Sequence, residues 1–349
     1  MSTPFSKKSK GKGLRSLSIC VPSSVIDPAH CKTAHQAAWT AHKIARAATL
    51  YGISEIIIYD TPSLSKESTP ASSESSSSSS NGKKLAGYLN YFITPSYLRK
   101  QVFGPEVSDY EAAQKLPKLS NLPFLSHDGK YLVGFSVPRR IEKLKGKSAG
   151  KRKKKGQLAE EKLTTYINIG AEKYLQLSNG VKVPIHSRVI VNTESNAVAT
   201  AAEAFDVACN HKVRGDTAFW TPEGFGYTVR HVAAFGQVFT ESPYPDGYKY
   251  TAWAPAREAA DLPALNSITL LPESSFLKTG VPQADPKEDV PVLLVLGPWR
   301  ELSAAILADQ ENFAGLDQAE PLFDGRLANS QAPSTEASVL NALARIDGL

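Results

Sequence analysis

Two short apolar runs stand far apart in this chain, residues 55–60 and 290–296, and both have the make-up of strands buried on two faces. Strands of that kind belong to parallel sheets covered by helices, so the two ends of the chain are expected to share one sheet. Residues 14–21 alternate and stop at Pro22, which marks a further strand. Between them, residues 33–51 place Ala37, Ala41, Ile44 and Ala48 on one helical stripe, with small residues at 38 and 45 that allow close packing on the sheet. His35, Trp39, His42 and Arg46 form a second stripe, read as a solvated or partner-covered face. Its two histidines are two turns apart, about 10 Å along a helix axis, which is too far for a shared metal ion.

The middle of the chain has a different rhythm. Residues 131–137, 164–169, 181–185 and 188–191 read as short alternating strands separated by Gly or Asn turns, the pattern of a small β-barrel inserted into the α/β domain. Residues 61–82 are dominated by serine, with six in a row at 75–80, and are expected to form a flexible surface loop. Helical structure is expected to resume near Leu85, where Leu85, Tyr88, Leu89 and Phe92 share a face. After the β module, residues 226–230 are expected to open a helical segment, with Val232, Phe235, Val238 and Phe239 as its apolar face. Asp246-Gly247-Tyr248 reads as a turn into a strand at 250–254, and a last helix after Pro333 is expected to bury Leu340, Leu343 and Ala344.

The net charge of +6 is unevenly spread. Residues 1–12 hold four lysines and no acid, and residues 139–155 hold ten basic residues against Glu142. The rest of the chain is therefore net acidic, so phosphate binding or a nuclear address is expected to lie in the basic runs, above all in Lys151, Arg152, Lys153, Lys154 and Lys155. The longest apolar run, 290–299, is half the length needed to span a bilayer, and no secretory leader is read at the start, so no membrane partner is expected. Three cysteines, Cys20, Cys31 and Cys209, form no C-x-x-C pair, which argues against a disulfide framework or a cysteine zinc site. The glycine-rich nucleotide loops, the G-x-S-x-G elbow and the H-E-x-x-H zinc motif are all missing.

Several strings in order carry a resemblance. Val21-Pro22-Ser23-Ser24, Ile44-Ala45-Arg46-Ala47-Ala48, Tyr97-Leu98-Arg99-Lys100, Tyr166-Ile167-Asn168-Ile169-Gly170, Gly226-Tyr227-Thr228-Val229-Arg230 and the closing region to Leu349 together resemble RNA methyltransferases of the SPOUT superfamily, in the eukaryotic and archaeal family with an inserted OB-like domain. The resemblance implies an α/β trefoil-knot domain made of residues 14–128 and 223–349. A basic tail at 1–13 would precede it. The serine-rich loop would occupy 61–83, and an OB-like insertion 129–222 would contain a basic flexible segment at 139–160. OB folds bind oligonucleotides on aromatic platforms, for which Tyr131, Phe135, Tyr166 and Tyr174 are candidates, Tyr166 foremost.

The same resemblance implies S-adenosylmethionine as methyl donor, held where three loops meet. Their residues here would be Ala254 in the first, Leu296, Gly297 and Pro298 in the second, and Asn329, Ser330, Ser334 and Thr335 in the third. Arg257 is the catalytic candidate, able to polarise the acceptor or grip a phosphate, or else to pair with Glu258 or Asp261. Where the family offers glycines and arginines, this chain has Trp253-Ala254-Pro255-Ala256-Arg257-Glu258, Gly297-Pro298-Trp299 and the stretch 327–336, which lacks both. Two readings stand: an RNA base methyltransferase acting on ribosomal RNA, and a catalytically degenerate RNA-binding factor of ribosome assembly. The expected partners are ribosomal RNA or pre-ribosomal particles and a second subunit, as homodimer or as heterodimer with a related SPOUT protein, in the nucleus and its nucleolus.

Overall fold

The computed structural model describes residues 15–62, 75–119, 122, 130–138, 163–171, 174–199, 220–221, 224–256, 290–327 and 334–347. In chain order, strand β1 (Arg15–Pro22) leads to helix α1 (Ala34–Leu50), β2 (Glu55–Tyr59) and α2 (Ser75–Ile93), then to the short helices α3 (Arg99–Val102) and α4 (Glu111–Gln114). Seven strands follow: β3 (Tyr131–Ser136), β4 (Leu163–Thr164), β5 (Tyr166–Asn168), β6 (Leu175–Gln176), β7 (Val183–Pro184), β8 (Arg188–Asn192) and β9 (Ala197–Ala199). After a small hairpin, β10 (Trp220–Thr221) and β11 (Gly224–Phe225), come β12 (Thr228–Val232), α5 (Gln237–Thr240), β13 (Tyr250–Pro255), β14 (Val290–Gly297), α6 (Trp299–Ala308), β15 (Gly325–Arg326) and α7 (Thr335–Asp347).

Six strands form one parallel sheet in the order β12-β2-β1-β14-β13-β15. Successive side chains of a strand point to opposite faces, and the two cores divide accordingly. Ile19, Val21, Ile56, Ile58, Ala252, Ala254, Leu294 and Leu296 face α1, α2 and α7. Cys20, Ile57, Tyr59, Trp253, Leu293 and Val295 face Phe235, Val238 and the α6 residues Trp299, Leu302 and Ile306. The outcome is a three-layer α/β arrangement with helices on both faces, as the buried runs at 55–60 and 290–296 imply.

The β module is a curled antiparallel sheet in the order β6-β5-β3-β8-β9. Gly134 in β3 lets the sheet curl, because a Cβ there would collide with the Ile167 side chain. One face packs Ile167, Leu177, Val183, Val189 and Val191 into a small core of its own. From the other, Val133, Phe135 and Ile190 join the first core of the α/β domain. Phe135 is thereby a core residue and not a stacking platform.

Helix α1 starts at a reciprocal cap: Gln36 N–H donates to Thr33 Oγ1 and Thr33 N–H to Gln36 Oε1, each at 3.2 Å. At the far edge, Arg230 Nε donates to Glu55 Oε1 at 2.8 Å, and the Tyr248 hydroxyl donates to Glu55 Oε2 at 2.8 Å. Two further guanidinium bonds, to Gln237 O and Val238 O, tie β12 to the turn after it.

Several expectations need correction. Residues 228–232 form strand β12 rather than a helix, because the β-branched Thr228, Val229 and Val232 pair in register along the open edge of β2. Val232, Phe235 and Val238 do share one core, reached through a strand, a turn and a single helical turn. The serines 75–80 are helical, extending α2 back from the apolar face at Leu85, Tyr88, Leu89 and Phe92. Serine is a weak but tolerated helix former, costing under about 1 kcal/mol per residue relative to alanine, so packing of the later turns prevails. In α7 the buried side is Ser338, Val339, Ala342 and Leu343, while Leu340 and Ala344 are exposed. Of the second α1 stripe, His35, Trp39 and Arg46 are exposed but His42 is buried.

His42 lies against Phe92 with ring centroids 5.1 Å apart, and its Nε2–H donates to Pro117 O at 2.9 Å. Burial lowers its pKa below the ordinary 6.5, with the Pro117 bond opposing and Arg46 assisting. A lowered folded-state value means the unfolded chain takes up the proton first. The stabilisation is therefore complete above pH 6.5 and is lost as pH falls through the folded value. Urea titrations between pH 7.5 and pH 5 should show unfolding free energy falling with pH in the parent, and a shallower fall in His42→Gln.

Candidate active site

The carboxyl ends of β1, β13 and β14 lie side by side, with Pro255 opposite Gly297 in register. Three bonds lock the loops that leave them. Trp253 Nε1–H donates to Gly297 O at 3.0 Å, Leu327 N–H to Trp253 O at 2.8 Å, and Ser338 Oγ–H to Pro255 O at 2.7 Å. The last of these sets the rotational phase of α7 and carries its first turn over the strand ends.

Gly297 has φ +134, a backbone region that favours glycine. A Cβ there would come within 3.1 Å of Tyr59 Oη and 3.2 Å of Pro22 Cγ. The chain can therefore turn sharply at the end of β14, putting Pro298 at the N-cap of α6 and Glu301 in its first turn.

Beyond that turn is a cleft of about 260 Å³ lined by Ser24, Val25, Ala29, His30, Cys31, Thr40, Pro298, Glu301, Ser334, Thr335 and Glu336. It lies beside the point where the chain's strand order reverses between β1 and β14, a place where open α/β sheets bind ligands. Ser24 Oγ–H donates to a Glu301 carboxylate oxygen in a short bond. Glu336 pairs with Lys43 at 3.4 Å. Cys31 lies 3.7 Å from both Val25 O and Thr40 Oγ1. Tyr59 is fully buried, and its hydroxyl has no hydrogen-bond partner among the described residues. Burial raises the Tyr59 phenol well above its ordinary value, with Cys20 and Glu301 adding to the effect, so the hydroxyl keeps its proton. Cys20, on the same strand layer, is held as a thiol by burial and is no nucleophile.

Of the residues expected from sequence to hold a cofactor, Pro298, Ser334 and Thr335 line this cleft together. Gly297 and Leu296 are buried at the end of β14, next in sequence to Pro298 but not in the cleft lining, and Ala254 is buried near the end of the adjacent strand. Asn329, Ser330 and Arg257 lie outside the described residues, as do Lys151, Arg152, Lys153, Lys154 and Lys155. Tyr166 is half-buried, packing against the first core, and is remote in sequence from every cleft residue. Tyr174 is exposed. Thr40 and Glu301 were not singled out from the sequence, and Ser24 and Cys31 were named there for other reasons. Glu301 leaves one signal there, an acid in the first turn after Pro298-Trp299.

The described cleft is a little smaller than the roughly 300–1,000 Å³ of sites for drug-sized ligands. Hydroxyls, a carboxylate and a helix N-terminus line it, which is a set able to bind a neutral heterocycle by its polar edge. Among the described residues no group of His, Cys, Asp and Glu could hold a metal ion, and no helix is long and apolar enough to cross a membrane.

A parallel sheet with a polar cleft at its carboxyl edge is consistent with an α/β methyltransferase. Residues 16–346 match the family described as "Putative RNA methyltransferase", and the chain belongs to that family. Among curated relatives, the Saccharomyces cerevisiae protein named "Putative methyltransferase YMR310C" is 28% identical over 334 residues, covering 94% of this chain and 91% of the yeast protein. The Drosophila melanogaster "28S rRNA (uridine-N(3))-methyltransferase" is 25% identical over 343 residues, covering 95% of this chain and 61% of that protein. Its Mus musculus namesake is 24% identical over 349 residues, covering 95% and 75%.

Gly297→Ala should destabilise the fold by about 1–3 kcal/mol, the usual cost of a side chain in a sparsely populated backbone region. Chemical denaturation measures this, and an unchanged midpoint would show that the turn after β14 is not constrained as described.

Proposed function

We propose that this protein methylates N3 of a uridine in large-subunit ribosomal RNA, using S-adenosylmethionine as donor. The observation that carries the reading is the convergence of Pro298, Ser334 and Thr335 on one polar cleft at the carboxyl ends of β1 and β14. Family membership supports the RNA substrate, and the names of the fly and mouse relatives support the uridine N3 position.

When bound, S-adenosylmethionine would supply an activated methyl group. Gly297, Pro298, Ser334 and Thr335 would hold it, with Ala254, Leu296, Asn329 and Ser330 in the adjoining loops. The chain's own part is to align the acceptor, exclude water and take up a proton. We read residues 14–128 and 223–349 as a trefoil-knot domain, which the return of α7 from the β15 edge to pack beside α1 and β14 supports. The curled antiparallel sheet supports an OB-like insertion. Dimerisation, with itself or a related subunit, and a nucleolar site of action complete the reading, the latter supported by the basic runs.

One observation favours a second reading, a degenerate RNA-binding assembly factor. Pro255 and Pro298 have no backbone N–H, and Pro255 O, Gly297 O and Trp253 O are all engaged within the fold. Among the described residues, few backbone groups at these two strand ends are left for a cofactor. Calorimetry with S-adenosylmethionine, and mass spectrometry of nucleosides from an unmodified rRNA transcript incubated with protein and donor, separate the two. Heat of binding and 3-methyluridine are expected; neither would appear for a degenerate factor.

Neutralising Lys151, Arg152, Lys153, Lys154 and Lys155 should weaken RNA binding and flatten the slope of log affinity against log salt by about 3 to 4, at about 0.7 per phosphate on a single strand. Binding isotherms across a salt series measure it. An unchanged slope would assign the run to targeting.

A further inference from the structure

Methylation at N3 differs from methylation at an exposed lone pair, because the uracil imino nitrogen carries a proton and must lose it. The site residues expected from sequence include no base. The cleft contains four titratable side chains: His30, Cys31, Glu301 and Glu336. Glu336 is committed to Lys43, His30 is solvent-exposed, and Cys31 lies against Val25 O and Thr40 Oγ1. Glu301 is held at one oxygen by Ser24, and its other oxygen has no partner among the described residues. Behind it, the buried Tyr59 hydroxyl faces the Gly297 turn unpaired, a donor without an acceptor in the protein. On another wall, Ser334, Thr335 and Glu336 bring the first turn of α7 to the cleft. Its free N–H groups and positive end favour a developing anion.

We propose that Glu301 is the general base that removes the N3 proton, positioned by Ser24, with the α7 N-terminus stabilising the charge that develops on the uracil carbonyl oxygens. The assignment rests on the functional reading above. As the N3–H bond breaks, its proton goes to the Glu301 carboxylate and the electron pair on N3 forms the bond to the methyl carbon. The carbon–sulfur bond breaks with its electrons remaining on sulfur, so the sulfonium donor leaves as a neutral thioether and Glu301 then releases the proton to solvent. A carboxylate suits this place for a second reason: it attracts an N–H edge and repels phosphate, so the base and not the backbone enters the cleft.

Two measurements on the full-length protein test this. In the first, without donor, a uridine decamer and its 3-methyluridine counterpart are titrated into parent and Glu301→Gln. The parent should prefer uridine by about 10-fold or more, as for a hydrogen bond to a charged group, and Glu301→Gln should lose the preference. In the second, single-turnover methylation of an unmodified large-subunit rRNA transcript is followed against pH at saturating donor. Glu301→Gln should fall about 10² to 10⁴-fold and recover roughly tenfold per pH unit as hydroxide replaces the base, while donor binding stays within threefold of the parent. A Glu301→Gln protein with the parent's rate and pH profile overturns the assignment alone, as does one that loses donor binding but keeps its rate at saturation. A parent that forms no 3-methyluridine overturns the functional reading and this assignment with it.

Discussion

Strand β14 is the constraint on which the rest depends. It pairs in parallel with β1 on one side and β13 on the other, and its alternate residues enter both cores. Its register with β1, Arg15 opposite Val290 through Cys20 opposite Val295, joins the two ends of the described chain. A parallel pairing at such separation carries a large loop-closure entropy before any contact offsets it. The intervening β module reduces that loop, because Val133, Phe135 and Ile190 pack into the same core as α1 and α2. The insertion is thus part of the domain's stability as well as a candidate RNA surface.

What was legible in the sequence is what local pattern decides. The buried runs of β2 and β14, the apolar stripe of α1 and the Gly247 turn before β13 all follow from side-chain type and spacing, and each stands where it was expected. The misreadings arise where a distant partner sets the answer. Thr228, Val229 and Val232 fit a strand or a short helix equally well until β2 offers an open edge. The serines at 75–80 take helical form from the turns that follow them. In α7, periodicity finds the helix but not its phase, which the Ser338 bond to Pro255 O fixes so that Leu340 points outward.

The site was legible to the same limited degree. Pro298, Ser334 and Thr335 were reached through resemblance, and they do share a cleft. Glu301, Ser24 and Thr40 were not, since they come from three elements whose juxtaposition depends on the sheet. Their chemistry is also unremarked in isolation: a glutamate in the first turn of a helix ordinarily complements the helix dipole and nothing more. The bond from Ser24, in the turn that follows β1, is what distinguishes this one, and it becomes visible only when the two strand ends are side by side.

The charge distribution then has a consistent physical meaning. A mildly acidic remainder of the chain with a carboxylate in its cleft would repel an RNA backbone, while the basic runs 1–12 and 139–155 would attract one over a Debye length of about 10 Å at 0.1 M salt. On the functional reading proposed above, attraction without sequence preference and selection at the base would fall to different parts of the chain. The rewritten loops fit the same division. Prolines at 255 and 298 remove backbone donors that could bind phosphates or carboxylates close to the strand ends, and the first turn of α7 remains as the principal donor set at the cleft. On the assignment proposed above, the cleft would offer the α7 N-terminus to carbonyl oxygens and Glu301 to an imino proton, the complement of the Watson–Crick edge of uracil.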